Sequence, residues 1–262
     1  WWRDAVTYQI YIRSYADSNG DGIGDINGIR SRLPYIKDLG VDCIWINPWF
    51  QSPQKDHGYD VADYMSVNDE YGTMDDAKAL IKEAHGLGIR VILDLVPNHS
   101  SDLHVWFQAA LNSEPGSKER DRYIFRDGKG KNGELPPTNW PSHFAPSAWT
   151  RTKNPNGSWG QWYCHLFAPE QPDWNWDNRE VQEDFLKTLK FWADRGVDGF
   201  RIDVAHALKK DLKKIYTGKK NSMDAFKIVQ NGKDILFDRN EVHEIYREWR
   251  KLFNTYNPPK FA

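Results

Sequence analysis

The stretch IRVILDLV, residues 89–96, constrains the fold more than any other, because it is almost continuously apolar and β-branched, interrupted only by Arg90 and Asp94. A strand with one face in water alternates, whereas a strand of this composition is buried on both faces and belongs to a parallel sheet covered by helices. Parallel neighbours need crossover connections, usually helical, and the chain supplies them. YQIYI (8–12) and CIWIN (43–47) read as strands. INGIRSRLPYIKDLG (26–40) and MDDAKALIKEAHGLG (74–88) read as helices with apolar residues at helical spacing and a closing glycine. The rhythm breaks over residues 100–172, rich in Pro, Gly, Asn and Trp; a structureless loop of that length does not fit a compact domain, so an inserted subdomain is expected there. It resumes with helix REVQEDFLKTLKFWADRG (179–196), strand GFRIDV (199–204), a long connection and helix NEVHEIYREWRKLF (240–253). The closing PPKFA reads as the approach to a further strand.

Repeated strand–helix units predict an α/β fold, and two architectures satisfy the pattern: an open doubly wound sheet, or part of a (β/α)8 barrel. No glycine-rich phosphate loop follows the first strand, so dinucleotide binding has little support. Lysine plus arginine (35) nearly balances aspartate plus glutamate (37), which predicts neither a nucleic-acid partner nor an anionic membrane. No apolar run reaches the roughly 18 residues of a membrane span. WWRDAVTYQI has neither the basic nor the apolar region of a signal peptide. Cys43, in the apolar run VDCIWI, and Cys164, beside aromatic residues, are expected as buried thiols in a reducing compartment, hence a cytoplasmic location. The chain carries 13 Trp, 12 Tyr and 12 Phe; most are expected in the core, but Trp and Tyr faces also stack on sugar rings.

DSNGDGIGD (17–25) has the spacing of a calcium loop: Asp17, Asn19 and Asp21 at positions one, three and five, Gly22 at the turn, the Ile23 carbonyl at seven and Asp25 at nine. Position twelve, where a calcium sensor carries a bidentate Glu, is Gly28, and the segment entering the loop alternates as a strand does. The loop is expected to hold a hard cation as a staple rather than to act as a sensor. The alternative is a metal-free Asp/Asn/Gly turn.

Four clusters fall at or after strand ends: DHGYD with Asp56, Tyr59 and Asp60; DLVPNH with Asp94, Asn98 and His99; QPDWNW with Asp173 and Asn175; and GFRIDVAH with Arg201, Asp203 and His206. Each alone has a structural explanation, as a cap, a satisfied histidine or an ordinary ion pair. Together they place carboxylates, histidines and an arginine on one rim, where a barrel carries its site. Arg201 and Asp203, two apart on a strand, point to the same face. An arginine that keeps an aspartate ionised and oriented prepares it for attack on an electrophilic anomeric carbon.

DLVPNH, QPDWN and GFRID, with DHGYD, resemble the α-amylase family of retaining glycoside hydrolases, glycoside hydrolase family 13. The opening loop, HLFAPEQPDWNWDN and the last helix resemble its oligo-1,6-glucosidase and α-glucosidase branch, and the likeness runs through essentially the whole chain. It implies a (β/α)8 TIM barrel with the first four βα units present: residues 1–99 carrying strands one to three, 100–172 the inserted subdomain, and 173–262 the fourth strand and its helix. It implies a retaining, exo-acting α-glucosidase acting on short oligosaccharides, with Asp203 as nucleophile and Arg201 orienting it. His99 would bond the hydroxyls of the cleaved sugar, Tyr59 stack beneath its ring and Asp56 hold its outer hydroxyls. Phe144 and Phe167 would wall the pocket, while Asp94 and Asn98 would be structural members of their motif. Calcium, or magnesium in its place, would sit on Asp17, Asn19, Asp21, Ile23 and Asp25. Val204 resembles the residue of α-1,6-specific enzymes, whereas Ala205-His206, with His206 expected beside substrate, looks more like bacterial α-1,4-glucosidases. A glucosyltransferase or sucrose-active isomerase of the same family is the alternative.

Retaining hydrolysis needs a second carboxyl group roughly 5 Å from the nucleophile. The resemblance places it on a glutamate at the end of strand five. Glu241, Glu244 and Glu248 belong to a helix expected outside the barrel. The chain is therefore expected to be inactive alone and to need the C-terminal half of the barrel, on the same or a separate chain.

Overall fold

The computed structural model describes residues 1–144, 146–154, 156–213, 232 and 234–262. In chain order the first elements are β1 (Thr7–Ile10), α1 (Ile12–Tyr15), α2 (Ile26–Asp38), β2 (Cys43–Ile46), β3 (Phe50–Gln51), β4 (Asp63–Val67), α3 (Met74–Gly86) and β5 (Arg90–Leu95). Next come α4 (Val105–Leu111), α5 (Lys118–Asp121), β6 (Phe125–Arg126), β7 (Trp149–Lys153) and β8 (Trp159–Cys164). The last are α6 (Arg179–Asp194), β9 (Gly199–Ile202) and α7 (Val242–Phe253). The long connection before α7 lies largely outside the described residues.

The four strands read from β-branched runs form one sheet, β1-β2-β5-β9, parallel throughout. At the β9 edge the Phe200 N–H donates to the Phe261 carbonyl at 2.8 Å and Gly199 bridges Phe261 in parallel register, so the closing residues do approach a further strand position. The sheet and its helices are the first four βα units of a (β/α)8 barrel. Helix caps fall where short polar side chains precede apolar periodicity: Asp25 accepts from Gly28 N, and Thr73 forms a capping box with Asp76. Each helix buries one stripe, such as Val181, Phe185, Leu189 and Trp192 of α6 or Val242, Ile245, Trp249 and Phe253 of α7.

Two features go beyond the sequence reading. β3 and β4 pair antiparallel, and Trp49 and Phe50 pack on Trp192 of α6 with ring centroids 5.4 and 5.7 Å away. Between β5 and α6, strands β6-β8-β7 form a separate antiparallel sheet, with a second apolar cluster that includes Trp140, Trp149, Cys164 and Leu166. Cys43 and Cys164 are both free and buried, and burial pushes the Cys43 thiol up to about 12. Among the described residues no helix is long and apolar enough to cross a membrane.

Candidate active site

Register assembles the site. Asp94 on β5 pairs directly with Arg201 on β9, and paired residues of parallel strands face the same side. Asp203 follows Arg201 by two residues and returns to that side. Arg201 Nη1 donates to Asp94 Oδ1 at 3.0 Å and to Asp203 Oδ1 at 2.7 Å. Trp45 of β2 donates its indole N–H to Asp94 Oδ2 at 3.1 Å, and the Tyr59 hydroxyl donates to the same oxygen at 3.0 Å. Tyr59 in turn accepts from Asn47 Nδ2 at 2.8 Å.

The two carboxylates differ in access. The Asp94 side chain is 0% exposed and that of Asp203 is 17% exposed, so only Asp203 can meet a ligand. Burial pushes the Asp94 carboxyl up to about 7, against the pull of Arg201 and with a further push from Asp203. Asp94, read from the sequence as a structural member of its motif, is thus the buried half of a carboxylate pair shared by one guanidinium. Past β9 the ladder runs one step further, with Asp203 N–H donating to Leu95 O at 2.8 Å. Val204 then takes φ +48°, a left-handed conformation that a β-branched side chain rarely adopts, and the strand ends there.

A second group lies beside it. His99 is buried, and its Nε2 lies 3.0 Å from the Tyr59 carbonyl. Gln171 Nε2 donates to Asp56 Oδ2 at 2.8 Å and lies 3.3 Å from the same carbonyl. Burial holds the His99 imidazole below its ordinary pKa and the Asp56 carboxyl above its own. Asp60 is a turn organiser, accepting from Ser52 Oγ, Lys55 N and Asp56 N. Phe167 lies 5.2 Å from His99 between ring centroids, and Phe144, largely exposed, packs edge-on against Phe167 at 5.4 Å. His206 packs on Phe237 at 5.4 Å between ring centroids, and Asp203 and Asp238 act on it electrostatically.

The sequence-derived residues Asp56, Tyr59, His99, Arg201 and Asp203 are therefore brought together, with Phe167 at their margin. The Phe144 and His206 rings pack on other aromatic residues, Phe167 and Phe237. Trp45, Asn47 and Gln171 were not foreseen. The alternation Cys43, Trp45, Asn47 places Trp45 and Asn47 on one face and was a usable signal; nothing about an isolated Gln in QPDWN marks it out. An apolar cavity of about 560 Å³ also opens near Trp45 and Arg201 but runs toward Tyr246, Trp249 and Phe253 of α7, away from Asp56 and His99.

The loop at 17–25 is tightly self-bonded. Asp17 accepts from Gly20 and Gly22 N–H groups, which hold its carboxyl below the usual range, and Asp21 accepts from Ile23 N. Asn19 Oδ1 accepts from Asp21 N in the same way, and carboxylate, amide and carbonyl oxygens are the donor type that a hard cation takes. Asp25 is engaged likewise, its oxygens accepting from Ser18 and from Gly28 N at the start of α2. Among the described residues, no group of three or more His, Cys, Asp or Glu side chains is gathered about one point. Gly28 is dictated by packing, since a Cβ there would collide with the Ala16 carbonyl, which also excludes the sensor's Glu.

The parallel α/β half barrel thus carries an arginine-held aspartate at the end of its fourth main strand. The chain belongs to the α-amylase catalytic-domain family, whose description "Alpha amylase, catalytic domain" matches residues 9–261. It is 43% identical to an oligo-1,6-glucosidase of Parageobacillus thermoglucosidasius over 98% of this chain and 44% of that protein. It is 49% identical to a trehalose-6-phosphate hydrolase of Escherichia coli over 80% of this chain and 37% of that one. Among solved structures, trehalose-6-phosphate hydrolase of Bacillus licheniformis superposes with a TM-score of 0.86 at 42% identity, covering 98% of this chain and 43% of that one. A trehalulose synthase gives 0.86 at 40%, covering 98% and 44%. The chain thus spans less than half the length of these relatives.

Proposed function

We propose that the chain is the N-terminal part of a retaining, exo-acting α-glucosidase that removes terminal α-linked glucose from short oligosaccharides of the maltose or isomaltose type. The observation that carries this reading is Asp203: partly open to solvent, held by Arg201, and set beside a second carboxylate sealed from ligand. In this reading Asp203 attacks the anomeric carbon, the glycosidic C–O bond breaks, and a general acid protonates the departing oxygen; water then reverses the geometry and frees α-glucose. Asp56, Tyr59 and His99, tied together through Gln171, form the closed end that limits the enzyme to chain termini. Glu241 bonds Arg239, and Glu248 bonds Arg179 of α6, on the helical side of the sheet. The general acid is therefore assigned to the part of the protein that the relatives carry in addition, and the 262-residue stretch alone is expected to be inactive. Loop 17–25 takes a hard cation, calcium or magnesium, as a staple on Asp17, Asn19, Asp21 and the Ile23 carbonyl.

The likeness to a trehalulose synthase supports a second reading, in which the glucosyl group passes to a sugar rather than to water. Products decide between them. Full-length protein given maltose, isomaltose and sucrose, followed by proton NMR, is expected to release α-glucose first. An isomerised disaccharide as main product selects the second reading, and β-glucose as first product contradicts both.

A further inference from the structure

Lys210 lies seven residues beyond the nucleophile candidate, and its Nζ is buried at 1% side-chain exposure. It donates to Asn98 Oδ1 at 3.0 Å and to the Ala207 carbonyl at 2.7 Å. Its ammonium is 3.2 Å from Asp173 Oδ2, an electrostatic contact rather than an aligned hydrogen bond. Asp173, wholly buried, uses its other oxygen to accept from Asn98 Nδ2 at 3.1 Å and from Leu166 N at 3.2 Å. A lysine only donates and a carboxylate only accepts, so the two together admit one orientation of the Asn98 amide: oxygen to Lys210, nitrogen to Asp173.

That orientation has a consequence one residue on. The Asn98 amide nitrogen also lies 3.1 Å from His99 Nδ1, to which its second hydrogen is directed. Nδ1 is then an acceptor, and the neutral imidazole must carry its proton on Nε2, 3.0 Å from the Tyr59 carbonyl. Gln171 Nε2 is 3.1 Å from His99 Nε2, but its hydrogens have acceptors of their own in Asp56 and the Tyr59 carbonyl, so no second donor has to be received by the ring. The charged groups that act on His99 are Asp56, Asp173 and Asp203, and burial outweighs them in keeping the ring neutral.

We propose that Lys210, through Asp173 and Asn98, is the positioning residue that sets the tautomer of His99, so that this ring holds its Nε2–H against the Tyr59 carbonyl and fixes the backbone between Asp56 and Tyr59 at the closed end of the site. The bearing on sugar binding rests on the proposed function; the tautomer does not. A buried Lys–Asp pair can also serve packing alone, and the two roles separate by spectroscopy.

The test is a long-range proton–nitrogen spectrum of the histidine rings in the full-length protein at neutral pH, with His99→Gln identifying the resonance. Wild type and Lys210→Arg are expected to show His99 as the Nε2–H form. Lys210→Met leaves Asp173 unpaired and risks misfolding, so it is paired with Asp173→Asn, which removes both buried charges. In that double variant the Asn98 amide is free to turn, and His99 is expected to lose its pure Nε2–H signature. KM for a glucoside should rise about tenfold, the size of one good hydrogen bond, while kcat moves less. An Nδ1–H or doubly protonated His99 in wild type overturns the inference, as does an unchanged Nε2–H form in the double variant. A signature that follows Lys210 in a protein with no glucosidase activity would uphold this inference and refute the proposed function.

Discussion

At the scale of single residues, the site turns on one guanidinium shared by two carboxylates of unequal access. Arg201 also lies over the Trp45 ring, 5.0 Å from its centroid, which limits how far it can swing. A lysine is a point charge on a flexible stem and cannot repeat that two-way grip. Arg201→Lys should therefore leave the fold intact but lower kcat by about 100-fold, the scale expected when a reacting group is misplaced by an ångström. Steady-state kinetics with a chromogenic glucoside check it, and a kcat within about threefold of wild type would show that Asp203 needs no such orientation. Arg201 and Asp203 were legible because spacing two on a strand fixes a shared face. Asp94 was legible as a position but not as a partner, because its pairing with Arg201 is a matter of register between strands 107 residues apart. Gln171 was illegible for the same reason, as its contact with Asp56 spans 115 residues.

At the scale of elements, the parallel strands stood out in the sequence because burial on both faces leaves a composition that little else produces. The β3–β4 hairpin did not, since β3 is two residues long and its register slips between Phe50 and Gln51, too short for any period to emerge. What ties β9 to β5 at the opposite end from the site is Asp198. It accepts from His85 Nε2 at 2.6 Å, Arg90 Nη1 at 3.2 Å and Val91 N at 2.9 Å. These partners overcome burial and hold its carboxyl below the usual range. A depressed folded-state pKa contributes stability above the unfolded value of about 4 and loses it as pH falls through the folded value. Asp198→Asn should cost about 2 kcal/mol at pH 7, the typical worth of hydrogen bonds to a charged group. Thermal melts across pH should show wild type and variant converging in acid; a gap that persists undiminished at the lowest pH would mean the charge is not what matters.

At the scale of the whole molecule, the described residues form half of a closed architecture, in a chain covering 44% of the P. thermoglucosidasius relative. The opening loop sits directly before α2, and Asp25, its last carboxylate, caps that helix, so a cation in the loop would stiffen the packing of the first βα unit. Removing divalent cations from the full-length protein should lower the melting temperature by several degrees while leaving the pH profile of activity unchanged. Identical melting with and without chelator would leave the loop as a self-bonded turn. The central claim is that Asp203 becomes covalently glycosylated, and peptide mass spectrometry of full-length protein trapped with an activated fluoroglucoside, which forms the intermediate quickly and releases it slowly, addresses it most directly. The account predicts one added sugar mass on the peptide carrying Asp203, lost again on prolonged incubation in water. A label on another carboxylate, or turnover of the natural substrate with no label on Asp203, would contradict it.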